Sequence, residues 1–230
     1  MSLKRFRGMK YQCYASQNEK MGQETKQEGT KIMKSLCVYC GSSFGVSAHY
    51  ADAARALAKE MVAGNLSLVY GGGNVGLMGI IADEVLRLGG AATGVIPQAL
   101  MDKEVGHQAL THLHIVKDMH ERKAMMAELS DGFIAMPGGI GTLEELFEVL
   151  TWSQLGFHNK PIGLLNAQGF YDDLIKFVQH LVTQGFLRPE HASLMMYEAD
   201  AAALLQRFKA FQPQHQHKLL NRATAKTLLP

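Results

Sequence analysis

Much of the usual chemistry is missing from this 230-residue chain, and each absence removes a class of function. No apolar run approaches the ~20 residues needed to span a bilayer, so neither a membrane span nor a membrane partner is expected. There are only three cysteines, and the short basic start Lys4-Arg5-Phe6-Arg7 leads into no hydrophobic signal core. A reducing, cytoplasmic compartment is the expectation. No P-loop lysine motif occurs, and no internal repeat is evident. Charge of one sign is also scarce. The formal net charge is +2, of which residues 1–34 carry +5, leaving residues 35–230 at −3. A mildly acidic body argues against nucleic acid as the main ligand. Metal-ligand spacing is lacking too: His112-x-His114 shares one strand face but has no third ligand at zinc spacing, so no metal is expected. Cys37 and Cys40 lie three apart in an apolar strand, where such positions face opposite sides, so they read as separate buried thiols.

What is present is a core. Apolar residues make up 47% of the chain, enough for one substantial domain. Residues 1–34 are polar and aperiodic and read as a disordered extension; 35–211 form the folded body; 212–230 read as a polar, peripheral tail. Within the body, strands are expected at 36–40, 66–70, 92–96, 113–116, 133–136, 160–165 and about 194–197. Helices are expected at about 48–63, 77–88, 119–129, 171–183 and 201–211, with another carrying Leu146, Phe147, Val149 and Leu150. Residues 98–112 show no period and read as a long loop. Strands alternating with helices imply parallel βαβ units, hence an α/β doubly wound parallel sheet in a single domain. Ligands of such sheets bind beyond the carboxyl ends of the strands, here the turns after Cys40, Tyr70 and Met136.

The chain is organised around Pro137-Gly138-Gly139-Ile140-Gly141-Thr142-Leu143-Glu144-Glu145, which joins a buried strand to a helix. Free backbone N–H groups and the helix dipole can hold a phosphate there, and glycine lets the anion approach closely. Glu145 then stands as a catalytic carboxylate one turn into the helix. The structural alternative is a capping box made by Thr142 and Glu145. Gly71-Gly72-Gly73-Asn74-Val75-Gly76 matches G-x-G-x-x-G after a strand, but no acid follows at the spacing a ribose requires, so NAD is not expected. That loop either lies against a nucleotide or packs strand tightly on helix. Met119-His120-Glu121-Arg122-Lys123 opens a helix capped by Asp118 with Glu121. Cations in a first helical turn oppose the dipole, so Arg122 and Lys123 either face an anionic ligand or are solvated surface residues.

Taken together, Pro137-Gly138-Gly139-x-Gly141-Thr142-x-x-Glu145 and Met119-His120-x-Arg122-Lys123 resemble the LONELY GUY (LOG) family, cytokinin riboside 5′-monophosphate phosphoribohydrolases often mislabelled as lysine decarboxylases. Tyr39-Cys40-Gly41-Ser42-Ser43, Tyr70-Gly71-Gly72-Gly73 and Gly76-Leu77-Met78-Gly79 extend the resemblance over about residues 35–210. It implies a Rossmann-like homodimer that cleaves the N-glycosidic bond of a nucleoside 5′-monophosphate to free base and ribose 5-phosphate, without a cofactor. By the same resemblance the catalytic pair falls on Arg122 and Glu145. The substrate contacts fall on Glu104, Arg122, Lys123, Thr151 and the stretch Gly138, Gly139, Ile140, Gly141, Thr142, Leu143, Glu144 and Glu145; Ile140 stands where relatives often carry tyrosine. No lysine motif suited to a pyridoxal Schiff base is present, which rejects the decarboxylase label. A non-catalytic nucleotide or cofactor carrier on the same fold is the alternative, and a dinucleotide-dependent oxidoreductase resting on the Gly71–Gly76 match is a weaker one.

Overall fold

A computed structural model describes residues 33–102 and 106–213. The described residues fall within the compact unit that begins at Met33. The proposed extension and tail therefore lie outside the described residues, apart from residues 33–34 and 212–213.

Strands and helices alternate along the chain. They are β1 (Ser35–Tyr39), α1 (Ala48–Ala63), β2 (Ser67–Tyr70), α2 (Gly76–Arg87), β3 (Ala92–Pro97), α3 (Gln98–Met101), β4 (His112–Val116) and α4 (Met119–Glu128). There follow β5 (Phe133–Ala135), α5 (Ile140–Gln154), β6 (Ile162–Leu165), α6 (Asp172–Thr183), α7 (Pro189–Ala192), β7 (Met195–Glu198) and α8 (Ala201–Lys209). All strands pair in parallel, in the order β4-β3-β2-β1-β5-β6-β7. The chain winds outward from β1 in one direction and, after β4, returns to build the other half. The switch point lies between β1 and β5, where Cys37 pairs with Phe133 and Tyr39 with Ala135. Crevices at such points are where doubly wound sheets take ligands.

The apolar periods explain both layers. In α1, Ala54, Leu57, Ala58 and Met61 share one buried face, and each large side chain contributes roughly 1.5–3 kcal/mol. With faces of α2 and α8 they cover one side of the sheet, together with Leu36, Val38 and Cys40. Met126 of α4, Leu146, Val149 and Leu150 of α5 and Val178 of α6 cover the other, together with Cys37, Tyr39 and Phe133. Cys37 and Cys40 thus diverge to opposite cores, as their spacing predicts.

Two short helices depart from the expectation. Residues 98–112 are not wholly loop, because Gln98–Met101 form one helical turn after Pro97. Pro189 starts another turn at α7. Neither is long enough to display an apolar period, which is why pattern reading misses both. His112 and His114 lie on the edge strand β4 and are exposed. Among the described residues no group of three or more His, Cys, Asp or Glu could hold a metal ion.

Candidate active site

Three turns meet at the carboxyl edge of the switch point, and Gly41 ties them together. Its N–H donates to Pro137 O (3.0 Å) and its carbonyl accepts from Leu77 N (3.0 Å). Gly76, at φ +59°, lies so close to the Ser42–Ser43 backbone that a Cβ would overlap it. From below, the buried Tyr171 hydroxyl donates to Met136 O (2.5 Å), fixing the end of the strand ahead of the glycines.

α5 starts at Ile140 with Gly139 as N-cap, and no side chain caps it. This overturns the capping-box alternative. Thr142 is the third residue of the helix, its buried side chain filling the space where a Cβ of Gly138 would stand. Glu145 lies further in, beyond the reach of the capping positions. The glycines divide into two kinds. Gly138 is demanded by Thr142 and Gly41, whereas a Cβ at Gly139 or Gly141 would meet no protein atom within 4 Å. Nothing in the fold requires glycine at those two positions, and both border the first turn's unpaired amides. Beside Gly138 and Gly139 a cavity of about 200 Å³ opens between Phe44, Tyr50, Leu77 and Phe170, so the helix start faces a cleft.

α4 supplies the cations. Asp118 caps it, accepting from His120 N (3.0 Å) and Glu121 N (2.9 Å). Glu121 reaches back to Lys117 N (2.8 Å), one residue beyond the usual capping-box donor. Arg122 and Lys123 are not the solvated pair that surface charge would make them. The Arg122 guanidinium lies across the ends of β2 and β3, with Nε donating to Val95 O (3.1 Å) and Nη2 to Gly71 O (3.3 Å). It occupies the volume a side chain at Gly71 would need. Nη1 stands 3.8 Å from Glu145 Oε1, and each side chain is only 12% exposed. Lys123 instead bridges α4 to α5, with Nζ 2.5 Å from Glu144 and 3.0 Å from Glu148. Burial disfavours its charge, yet those two carboxylates hold its pKa above the ordinary lysine value. A lysine so held stays protonated and is poorly suited to a Schiff base.

Glu145 has the contrary problem. Burial raises its pKa to about 7; Arg122 and Lys123 pull it down, while Glu144 and Glu148 push it up. It is therefore a carboxyl group able to change charge near neutrality, held next to a fixed guanidinium and about one and a half helical turns from a glycine-lined helix start.

The remaining expected contacts are distributed unevenly. Ile140, Leu143 and Glu144 lie on the first turns of α5, Ile140 being 82% exposed. Thr151 is not with them: it lies on the exposed side of α5, about 13 Å of helix rise beyond Thr142, its hydroxyl donating to Phe147 O (2.7 Å). Glu104 lies outside the described residues. The sequence reading missed Glu148, Gly71 as the seat of Arg122, and Tyr171. Only Glu148 left a signal, being spaced i, i+4 from Glu144 on one helix face. The Gly71–Gly76 loop, tested above as a dinucleotide fingerprint, is used for packing: Gly71 takes Arg122 and Gly76 takes the Ser42–Ser43 turn.

The fold and this corner define a Rossmann-like α/β protein whose sheet switch point carries an acid–guanidinium pair beside an uncapped, glycine-lined helix start. The structure of a molybdenum cofactor carrier protein from Chlamydomonas reinhardtii superposes with TM-score 0.61 at 21% identity, covering 78% of this chain and 100% of that one. That of a molybdenum cofactor binding protein from Rippkaea orientalis does so at 0.58 and 18%, covering 79% and 98%. At those identities the likeness is one of fold. Sequence relatives are much nearer. The cytokinin riboside 5′-monophosphate phosphoribohydrolase LOG5 of Arabidopsis thaliana is 49% identical over 180 residues, 78% of this chain and 79% of its own. LOG1 of the same plant is 46% identical over 183 residues, 80% and 86% of the two chains. A family model described as "Possible lysine decarboxylase" matches residues 78–208. The chain belongs to the LOG family, whose members include those phosphoribohydrolases.

Proposed function

We propose that the chain hydrolyses the N-glycosidic bond of a nucleoside 5′-monophosphate, AMP or an N6-modified AMP such as a cytokinin riboside 5′-monophosphate, to free base and ribose 5-phosphate. The observation that carries this reading is the approach of Glu145 to Arg122, 3.8 Å apart and both shielded from solvent, beside a helix start whose Gly139 and Gly141 are open. The 5′-phosphate binds the amides at that start and supplies remote binding energy for orientation. As the C1′–N bond breaks, its electron pair leaves with the base and C1′ becomes oxocarbenium-like. The Glu145 carboxylate stabilises that charge and orients water toward C1′. Water gives its oxygen to C1′ and, in net terms, one proton to the base. Arg122 holds the carboxylate and the sugar phosphate in place. Lys123 acts through Glu144, and Glu104 and Thr151 complete the substrate contacts. The reaction needs neither metal nor cofactor.

The active assembly is a homodimer. Ile140, Glu144, Phe147, Thr151 and Leu155 follow one another at helical spacing down the exposed side of α5, with Phe147 39% and Leu155 46% exposed. A second copy laid on that stripe brings its Thr151 toward the neighbouring site. We place the protein in the cytoplasm, where Cys37 and Cys40 stay free thiols. Among the described residues no helix is long and apolar enough to cross a membrane.

Purified protein given AMP and isopentenyl-AMP should release free base, and Glu145→Gln or Arg122→Ala should cut release by two or more orders of magnitude with the fold intact. A nucleotide or cofactor carrier on the same fold would instead bind tightly without turnover. Release undiminished in both variants sinks the assigned roles.

A further inference from the structure

Three adjacent glycines leave the Gly71–Gly73 turn with no side chain to hold it, yet it must fix the carbonyl on which Arg122 rests. The clamp comes from elsewhere in the chain. Gly72, at φ +78°, presents its carbonyl to His107 N (3.1 Å), and Gly73 bridges to Gly106 in antiparallel fashion. His107 itself is 4% exposed, and both ring nitrogens are engaged. Nδ1 accepts from Ala109 N (3.2 Å), which leaves the ring proton on Nε2 to donate to Asp83 Oδ1 (2.9 Å). Asp83 belongs to α2, the helix that the glycine turn itself leads into. A closed circuit results, running from the turn into α2, across Asp83 to His107, and back to the carbonyl of Gly72. One peptide away, Gly71 O receives Arg122 Nη2.

We propose that His107, anchored by Asp83, is a positioning residue for Arg122. It replaces the side chains the glycine turn lacks and fixes where the guanidinium stands relative to Glu145. The inference rests on the role given to Arg122 above. His107 touches neither Arg122 nor Glu145 and makes no contact with substrate in this scheme.

Asp83 is 68% exposed at its side chain, so Asp83→Ala should fold even if His107→Ala does not. Two readouts apply. The first is activity: in both alanine variants kcat for AMP hydrolysis should fall about 10-fold. The rising limb of the pH profile, set by Glu145 between Arg122, Lys123, Glu144, Glu148, Cys37, Cys40 and Tyr39, should move to higher pH as the guanidinium drifts away. His107→Gln, whose amide can still donate to Asp83, should restore the limb. The second needs no turnover: hydrogen exchange of the Arg122 Nε–H by NMR should speed up about tenfold or more in Asp83→Ala, because its bond to Val95 O depends on the same seat. Unchanged exchange together with an unmoved limb overturns the proposal, whatever happens to thermal stability. Should the wild type release no base, the hydrolase reading fails, and the exchange result still decides the latch.

Discussion

At the scale of single residues, the property that matters is the charge of Glu145. Burial lifts its pKa to about 7, against the pull of Arg122 and Lys123. In the proposed mechanism the ionised form does the chemistry, so kcat/KM should climb as pH rises through about 7 and then level off, a limb absent from Glu145→Gln. The same shift has a stability sign. A folded pKa above the unfolded one means the stabilisation is complete below the ordinary carboxylate range and lost as pH rises through 7. Glu145→Gln should therefore unfold at higher temperature than wild type at pH 8, by roughly 1–3 kcal/mol of stability, with the two converging near pH 5. Equal stability at both pH values would show that the carboxylate is not strained by burial. Glu145 and Arg122 were legible as candidates because both belong to short motifs. The mutual approach was not, since nothing in the spacing of two segments 23 positions apart says that α4 and α5 lie side by side. Lys123 shows the limit plainly: its spacing left open an anionic ligand or a solvated surface, and only the structure shows the ion pairs it makes with Glu144 and Glu148.

At the scale of elements, the glycine motif sorts into positions serving the fold and positions free for a ligand. Gly141→Ala adds a better helix former where a Cβ meets nothing. It should raise stability by about 0.5–1 kcal/mol while raising KM, because the methyl group stands on the proposed approach of the phosphate. Gly138→Ala should do the opposite to stability, since its Cβ would overlap Thr142 and crowd Gly41 N. Thermal melts paired with KM for AMP separate the two. A Gly141→Ala protein with unchanged KM would move the phosphate elsewhere. The strand–helix alternation was readable to within a residue or two at most boundaries, as with α1 at Ala48–Ala63. The helix start was harder. Thr142-x-x-Glu145 mimics a capping box, and only the backbone reveals that the N-cap of α5 is Gly139, three residues ahead of Thr142.

At the scale of the molecule, topology makes the site. The order β4-β3-β2-β1-β5-β6-β7 puts the β1–β5 switch point under the glycine turn and sets α4 beside α5. Parallel pairing could be argued from the alternation; the strand order could not, because the central strands are apolar on both faces and their pattern does not name their neighbours. The outer stripe of α5 belongs to this scale as well. Phe147→Glu with Leu155→Glu should convert the proposed dimer into monomers in light scattering and lower AMP turnover at least tenfold, since Thr151 would lose the neighbouring site. A wild-type monomer with full activity would remove Thr151 from the site. The most direct measurement is the structure of Glu145→Gln with AMP bound. The phosphate oxygens should lie within about 3 Å of the amide nitrogens at the start of α5, with C1′ turned toward residue 145. A phosphate bound away from Gly139–Thr142, or an anomeric carbon facing away from residue 145, would contradict the proposed mechanism.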